Sequence, residues 1–392
     1  MNTTTSTLLE QGFQALSEWD LDTAEALFIQ EMRDKPDSPK GYIGLSRVWL
    51  LRGKPHQAFD WAQKASVLPG QNGDSIAMKA VCQMAFAQDG LAKELLEKCL
   101  QDYPKNTLAL SNYAKILTKE GSFELAKTYT LQALEQSECK EELYHNLAVI
   151  ALELGDYKSA VQALISSIEA NPTYVPSYLS LSQLASKLGL VDVAIDIYEG
   201  GLGFMPNMFP IREELYNLRL LKEDVEGAME EAMYLARYRG LAGDYVRVGN
   251  TALLLSDKVG AKISYETATQ IAPNEPDAYI NLGHLHRVCQ ERSEAMNAYI
   301  AAADAAPSSY KPYLGVALCY MELDKDFGKA YIALLKALEF APDCYDIVIH
   351  LAICCQKLRQ SSEAKKYARI ATALSEEPAQ SQRAQKILQG IR

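Results

Sequence analysis

The sequence predicts an all-α fold, a solenoid of stacked helix-turn-helix hairpins that ends in a capping helix. Three observations predict it. An alanine returns about every 34 residues, each interval carries two apolar patterns of helical period, and no segment alternates as a β-strand does. A period of this length is typical of arrays in which one small motif stacks on its neighbours.

The alanine period defines eleven repeats. Steps of 34 residues run from Ala24 to Ala228, one step of 33 follows, and a step of 35 leads to Ala330. The positions are Ala24, Ala58, Ala92, Ala126, Ala160, Ala194, Ala228, Ala261, Ala295, Ala330 and Ala364. A small residue at one fixed position predicts a close crossing of two helices, because a larger side chain would hold the helices apart.

The two helices of one repeat are clearest in residues 277–306. The first helix has an apolar face, spaced i, i+3, i+4 and i+7, at Tyr279, Leu282, Gly283 and His286. The second helix has its buried face at Ala295, Tyr299 and Ala302. Pro307 ends the second helix, because proline cannot continue one.

These residues carry a family resemblance. The run Tyr-x2-Leu-Gly-x2-His, followed by Ala295, Tyr299, Ala302 and Pro307, resembles the tetratricopeptide repeat of 34 residues. The resemblance covers residues 5 to 376. It implies a right-handed superhelix whose concave inner surface binds protein or peptide partners.

The resemblance is weakest between Gly200 and Gly243, where Arg212 and Arg219 occupy expected core positions. We therefore divide the chain into an N-terminal block of six repeats (5–205), a weak seventh repeat (206–241), a C-terminal block of four repeats (242–376) and a capping helix (377–392). The seventh repeat is either a degenerate repeat that stacks normally or a hinge between the blocks. At the other end, Thr7-x-x-Glu10 predicts a capping box.

Composition argues against several classes of function. The chain has 39 Lys and Arg against 50 Asp and Glu, a formal charge of −11, which disfavours binding to phosphate backbones and anionic membranes. A basic segment of a protein partner would be attracted instead. No run of 18 apolar residues and no secretion signal occurs. We expect no nucleic-acid partner, no membrane insertion and a cytoplasmic location.

The sequence contains no motif of an enzyme or a cofactor site. Its eight cysteines lack C-x-x-C spacing and predict reduced thiols. His284 and His286 lie two residues apart on a helix and point to different faces, so they cannot easily share a metal ion. Cys355 fits a buried helical stripe, and the pair Cys354-Cys355 is expected to pack internally. We therefore expect no catalytic residue, no cofactor and no metal site.

The stripe of each first helix that is not buried within its hairpin predicts an inner binding groove. In the C-terminal units it comprises Arg247, Asn250, Ile280, Asn281, His284, Lys311, Leu314, Leu318, Ile349, His350 and Ile353. In the N-terminal block the corresponding candidates are Asn112 and Asn146.

Two known grooves resemble parts of this surface. Asn250, Asn281 and Lys311 are similar to the clamp that holds a peptide carboxylate in some tetratricopeptide domains, but Val246 and Gly315 stand where that clamp has cations. Asn112, Asn146 and Asn281 resemble the asparagine ladder of protein O-GlcNAc transferases, which Ser180 and Glu214 interrupt here. The asparagines either bind the backbone of an extended peptide or face water.

The last units are more apolar. Leu314, Leu318, Ile349 and Ile353 either receive an amphipathic helix of a partner or pack internally. The function predicted is a non-enzymatic scaffold or adaptor that binds protein or peptide partners, including basic or amphipathic segments. Two alternatives stay open: a regulatory or substrate-recruiting subunit of a separate enzyme or a secretion or motility complex, and a structural protein that forms homo-oligomers.

Overall fold

The computed structural model describes residues 7–17, 20–69 and 72–390, and every regular element in those ranges is a helix. The chain divides into two compact units, residues 1–206 and 207–392. The first holds α1 (Leu8–Ser17), α2 (Leu21–Asp34), α3 (Pro39–Leu51), α4 (Pro55–Val67), α5 (Gly73–Ala85), α6 (Asp89–Asp102), α7 (Thr107–Lys119), α8 (Phe123–Gln136), α9 (Glu141–Glu153), α10 (Tyr157–Ala170), α11 (Val175–Lys187) and α12 (Val191–Phe204).

The second unit holds α13 (Phe209–Leu221), α14 (Val225–Tyr238), α15 (Ala242–Leu254), α16 (Lys258–Ile271), α17 (Pro276–Val288), α18 (Arg292–Ala305), α19 (Tyr310–Cys319), α20 (Phe327–Phe340), α21 (Tyr345–Lys357), α22 (Ser361–Ala373) and α23 (Pro378–Gly390). Odd and even helices pair as hairpins, and within each unit a hairpin packs on its neighbours in sequence. The predicted all-α solenoid is confirmed.

The alanine series marks the centre of each hairpin. Every one of the eleven alanines is the fourth residue of a second helix, and each is fully buried. The predicted close crossing is visible in the hairpin of α17 and α18, where a Cβ added to Gly283 would lie 2.7 Å from the ring of Tyr299. The register read from the sequence is therefore confirmed.

Both irregular steps of the period have a local cause. The step of 33 falls in the three-residue connection between α14 and α15, whereas the connection between α16 and α17 has four residues. The step of 35 falls after α19, where Tyr320–Asp324 form a π-helical turn. A wider helical turn accommodates one inserted residue without breaking the hairpin.

Both predicted end devices are present. Thr7 and Glu10 form the capping box: the Thr7 amide donates to Glu10 Oε2 (2.8 Å) and the Glu10 amide to Thr7 Oγ1 (3.3 Å). At the other end, α23 packs on α22 and buries Ala384 completely. The apolar flank of the last hairpin is thereby covered, as a capping helix requires.

The weak repeat, formed by α13 and α14, has charged groups in its interior. Arg212 Nη1 donates to Glu231 Oε2 (2.5 Å), and the side chains are only 11% and 7% exposed. The Arg212 guanidinium lies 3.4 Å from the ring centre of Tyr234. Arg219 Nη2 lies 3.8 Å from Glu231 Oε1. The two arginines at predicted core positions are therefore partly buried and ion-paired.

The turns inside the hairpins differ between the units. In the first unit the residue of the turn that has a positive φ angle is a glycine in all but one of the described turns, as at Gly121 (φ 78°). In the second unit it is never glycine within the described residues, as at Gln290 (φ 63°). A side chain at positive φ costs roughly 1–2 kcal/mol, which glycine avoids.

We therefore expect Gln290→Gly to raise the free energy of unfolding by about 0.5–1 kcal/mol, since relief of the strained backbone exceeds the added entropy of the unfolded chain. Urea denaturation followed by circular dichroism measures this change. The matched control, Gly121→Ala, creates the strain that the first variant removes and should lower stability by about 1 kcal/mol. Equal stability of both variants and the parent chain would contradict the prediction.

Candidate functional site

The groove candidates of the second unit lie on the first helices of four successive hairpins. α15 carries Arg247 and Asn250, and α17 carries Asn281 and His284. α17 packs against both α15 and α19, so these side chains lie on one continuous face of neighbouring helices. α19 carries Lys311, Leu314 and Leu318, and α21 carries Ile349, His350 and Ile353.

Asn250 and Asn281 are joined by a hydrogen bond. Asn281 Nδ2 donates to Asn250 Oδ1 (3.3 Å), and the hydroxyl of Tyr265 donates to the same oxygen (2.7 Å). Asn250 is exposed. The hydrogen bond therefore holds Asn281 beside Asn250 across the boundary between two neighbouring hairpins.

His284 belongs to a second polar group on the same face. Its Nδ1 lies 3.1 Å from the hydroxyl of Tyr299, while the guanidinium of Arg287 forms an ion pair with Glu322. Burial lowers the pKa of His284, and the nearby charge of Arg287 lowers it further. The imidazole of His284 is therefore neutral at pH 7, because its ordinary pKa is already below that value.

Arg247 has its guanidinium committed to other residues of the chain. Nη2 donates to Glu213 Oε1 (2.7 Å) and Nη1 to Asp244 Oδ1 (3.1 Å). Arg239 binds the same two carboxylates. Asp244 is fully buried, so this group of charges fixes the short connection between α14 and α15. A partner would have to compete with two carboxylates for Arg247.

The remaining candidates differ in exposure. Lys311 is exposed and forms no ion pair within the described part of the chain, and Leu314, Leu318 and Ile353 are half-buried. His350 is half-buried, and its Nδ1 lies 2.5 Å from the carbonyl oxygen of Asp346. Lys311 and the three half-buried apolar side chains can therefore contact a partner.

Two of the predicted apolar groove residues, Ile280 and Ile349, are buried. Ile349 is 0% exposed and packs in the core of the last hairpins, and Ile280 is 6% exposed. Both are the fifth residue of a first helix, a position that the helical stripe assigned to the groove. At these two positions neighbouring residues cover the side chain, so it offers no surface to a partner.

One of the two candidates of the first unit borders a cavity of about 590 Å³. Asn112 lines it but is only 6% exposed, and its Nδ2 donates to the carbonyl oxygen of Leu108 (2.8 Å). Asn146 does not line it and donates weakly to Ser111 Oγ (3.4 Å). Both asparagines thus use an amide hydrogen inside the chain.

Charged residues of this cavity were not among the predicted candidates. Arg47 lines it and lies 5.4 Å above the ring of Phe13, and Glu142, another lining residue, pairs with Lys115. Arg47 and Lys115 are the ninth residues of their first helices, as Asn250 is of α15. The repeat register alone could therefore have identified them.

Three residues considered above for metal-binding or redox chemistry, His286, Cys354 and Cys355, are buried. His286 is 4% exposed and bonds to Glu291 (2.5 Å), and Cys354 and Cys355 are fully buried, which raises the pKa of each thiol, to about 12 and about 11. Within residues 7–17, 20–69 and 72–390 no group of three or more His, Cys, Asp or Glu is arranged to hold a metal ion. No helix in those ranges is long and apolar enough to cross a bilayer.

Comparison with known families matches one hairpin directly. The profile described as tetratricopeptide repeat matches residues 141–174, which contain α9 and α10. The matched segment has the length of the alanine period. Among solved structures, the crystal structure of yeast Tom70 aligns with a TM-score of 0.49 and 14% identity, covering 98% of this chain and 94% of that chain.

Two curated proteins are similar to part of the chain. The Homo sapiens protein O-mannosyl-transferase TMTC3 is 24% identical over 191 residues, 48% of this chain and 21% of the relative. The Hordeum vulgare probable UDP-N-acetylglucosamine–peptide N-acetylglucosaminyltransferase SPINDLY is 25% identical over 175 residues, 42% of this chain and 18% of the relative. The chain spans about a fifth of the length of these curated relatives.

Proposed function

We propose that this chain, which is a tetratricopeptide repeat protein, is a non-enzymatic scaffold that binds an extended peptide segment of a protein partner along α15, α17, α19 and α21. The fold is that of a protein-interaction scaffold. The peptide, its location in this groove and the absence of catalysis are our proposal.

The observation that carries the proposal is the hydrogen-bonded pair of Asn250 and Asn281 on the exposed face of two adjacent hairpins. An asparagine amide can donate to and accept from a peptide bond, so a pair at this spacing suits an extended backbone. On α19, which packs against α17, Lys311 offers a positive charge, and Leu314 and Leu318 offer apolar contact. Such a surface binds the backbone and selects side chains only weakly.

The proposal is tested with a display library of random 15-residue peptides, selected on the purified chain. We expect each of Asn250→Ala and Asn281→Ala to weaken the best peptide about fivefold, because each variant loses about 1 kcal/mol of hydrogen bonding. Isothermal titration calorimetry measures the change. Asn297→Ala is the matched control, since Asn297 is exposed on α18 outside the groove.

Unchanged affinity of the two groove variants would refute peptide binding at this site, and so would a selection that yields no peptide above background. Loss of affinity in the Asn297→Ala control would point instead to the outer surface. Circular dichroism of each variant establishes that the helices are retained.

A second candidate function is the recruitment of protein substrates to a separate transferase. The similarity to segments of an O-mannosyl-transferase and an N-acetylglucosaminyltransferase favours it. Co-purification of a transferase activity with the parent chain, and its loss with the Asn250→Ala and Asn281→Ala double variant, would support this function. We propose the cytoplasm as the compartment, because all eight cysteines are free thiols, a state that reducing conditions maintain.

A further inference from the structure

We propose that the hydroxyls of Tyr265 and Tyr299 orient Asn250 and His284 so that the groove offers hydrogen-bond donors and receives the carbonyl groups of a peptide. The inference rests on the proposed function. It adds two positioning residues on second helices and a definite polarity to the groove on the first helices.

Both tyrosines reach the groove through a gap left by glycine. Each is the eighth residue of a second helix, and its ring lies against the first helix of its own hairpin. A Cβ added to Gly249 would lie 2.4 Å from the ring of Tyr265, and one added to Gly283 would lie 2.7 Å from that of Tyr299. At both places glycine leaves room for the ring, so that the hydroxyl lies beside the groove side chain.

The hydroxyl of Tyr265 determines what Asn250 offers. Burial raises the pKa of Tyr265 to about 12, so the hydroxyl keeps its proton and donates it to Asn250 Oδ1. Asn281 Nδ2 donates to the same oxygen. A carbonyl oxygen has two lone pairs, and both are then occupied. Asn250 is left with its NH2 group as the part that can bind a peptide.

The hydroxyl of Tyr299 acts similarly on His284. Arg287 lies beside this hydroxyl and, as a guanidinium, can only donate, so the phenol oxygen faces Arg287 and its proton faces His284 Nδ1. Burial lowers the pKa of His284, which keeps the ring neutral and Nδ1 able to accept. The tautomer that results carries its proton on Nε2, a second donor for the groove.

The sequence repeats this pairing elsewhere. Tyrosine occupies the eighth position of a second helix in three hairpins, and each has an acceptor-bearing side chain 15 residues earlier: Gln183 before Tyr198, Asn250 before Tyr265 and His284 before Tyr299. Apolar residues at the two positions also occur together. They are Phe13 with Phe28, Val81 with Leu96, and Val149 with Leu164. In these three hairpins the tyrosine hydroxyl therefore occurs together with a groove side chain that it can orient.

The test compares Tyr265→Phe and Tyr299→Phe with Tyr216→Phe. Phenylalanine keeps the ring against the glycine and removes only the hydroxyl. Tyr216 is the matched control, because its buried hydroxyl bonds to Thr251 Oγ1 (3.2 Å) and not to a groove side chain. The probe is the best 15-residue peptide from the display selection, together with versions in which one backbone carbonyl is a thioamide or one amide nitrogen is methylated.

We expect the peptide to bind Tyr265→Phe about three- to tenfold more weakly, and Tyr216→Phe as tightly as the parent chain. A thioamide, a poorer acceptor, should weaken binding to the parent chain at one position but make little further difference in Tyr265→Phe. Affinity unchanged by Tyr265→Phe would overturn the inference. The inference would also be overturned if methylation of a peptide amide nitrogen, and not a thioamide, weakened binding to the parent chain and had no further effect in Tyr265→Phe.

A measurement without peptide separates the two proposals. In a chain labelled with ¹⁵N-asparagine, the side-chain NH2 signals of Asn250, assigned with Asn250→Asp, should shift in Tyr265→Phe and stay in place in Tyr216→Phe. If no peptide is selected, the proposed function fails while this shift still supports the orientation of Asn250. If the signals do not move, the positioning role is overturned whatever the peptide does.

Discussion

Replacing Glu231 with alanine is expected to lower the free energy of unfolding by about 3–5 kcal/mol, the largest effect we predict. The substitution removes from the interior of the weak repeat the carboxylate that pairs with the guanidinium of Arg212. Arg219, 3.8 Å from the other Glu231 oxygen, loses a partner as well. Removing one member of a buried ion pair costs far more than the net stabilisation by the pair.

The change is measured by hydrogen exchange with mass spectrometry, because this resolves α13 and α14 from the other helices. The double variant Arg212→Met with Glu231→Leu should recover most of the loss, since two apolar side chains of similar size need no charged partner. A loss below about 1 kcal/mol for Glu231→Ala would mean that the pair behaves as a solvent-exposed one.

Gly315→Ala should lower stability by about 1–3 kcal/mol, although alanine is the better helix former. The added Cβ would lie 2.3 Å from a ring carbon of Tyr299. That ring is fully buried, and Gly283 already contacts it from the other first helix, so the ring has no space to move away. The helices must separate instead, which weakens the packing of two adjacent hairpins.

The matched control is Gly200→Ala in α12, where an added Cβ meets nothing within 4 Å. The same substitution should there raise stability by about 0.5–1 kcal/mol, through helix propensity alone. Thermal unfolding followed by circular dichroism measures both changes. Shifts of the same sign would contradict the role of the Tyr299 ring.

The sequence predicted the helices well because the repeat register is a local property. The positions of Ala24 and the ten later alanines follow from counting residues in the sequence, and each alanine lies at the same place in its hairpin. The cause of the longer step before Ala330 could not be predicted, because one extra residue fits a loop or a π-helical turn equally well in a sequence. Packing against the neighbouring helices decides between them.

The groove was predicted less well, because exposure depends on the neighbouring hairpin. Ile349 and Leu314 are both the fifth residue of a first helix, yet the first is buried and the second half-buried. The partner of Arg212 lies 19 residues away on the facing helix, a distance over which many carboxylates compete. The contact of the Tyr299 hydroxyl with His284 was not predicted, because the sequence assigned the tyrosine only to the buried face of its helix.

The packing of each hairpin on its sequence neighbours has a consequence for synthesis on the ribosome. Contacts within a unit join helices that are close in sequence, so the contact order is low and a hairpin can fold soon after it emerges. Within a unit, each new hairpin then covers the apolar flank of the one before it. The apolar flank of the hairpin of α21 and α22 stays accessible to chaperones until α23 has emerged and Ala384 is buried.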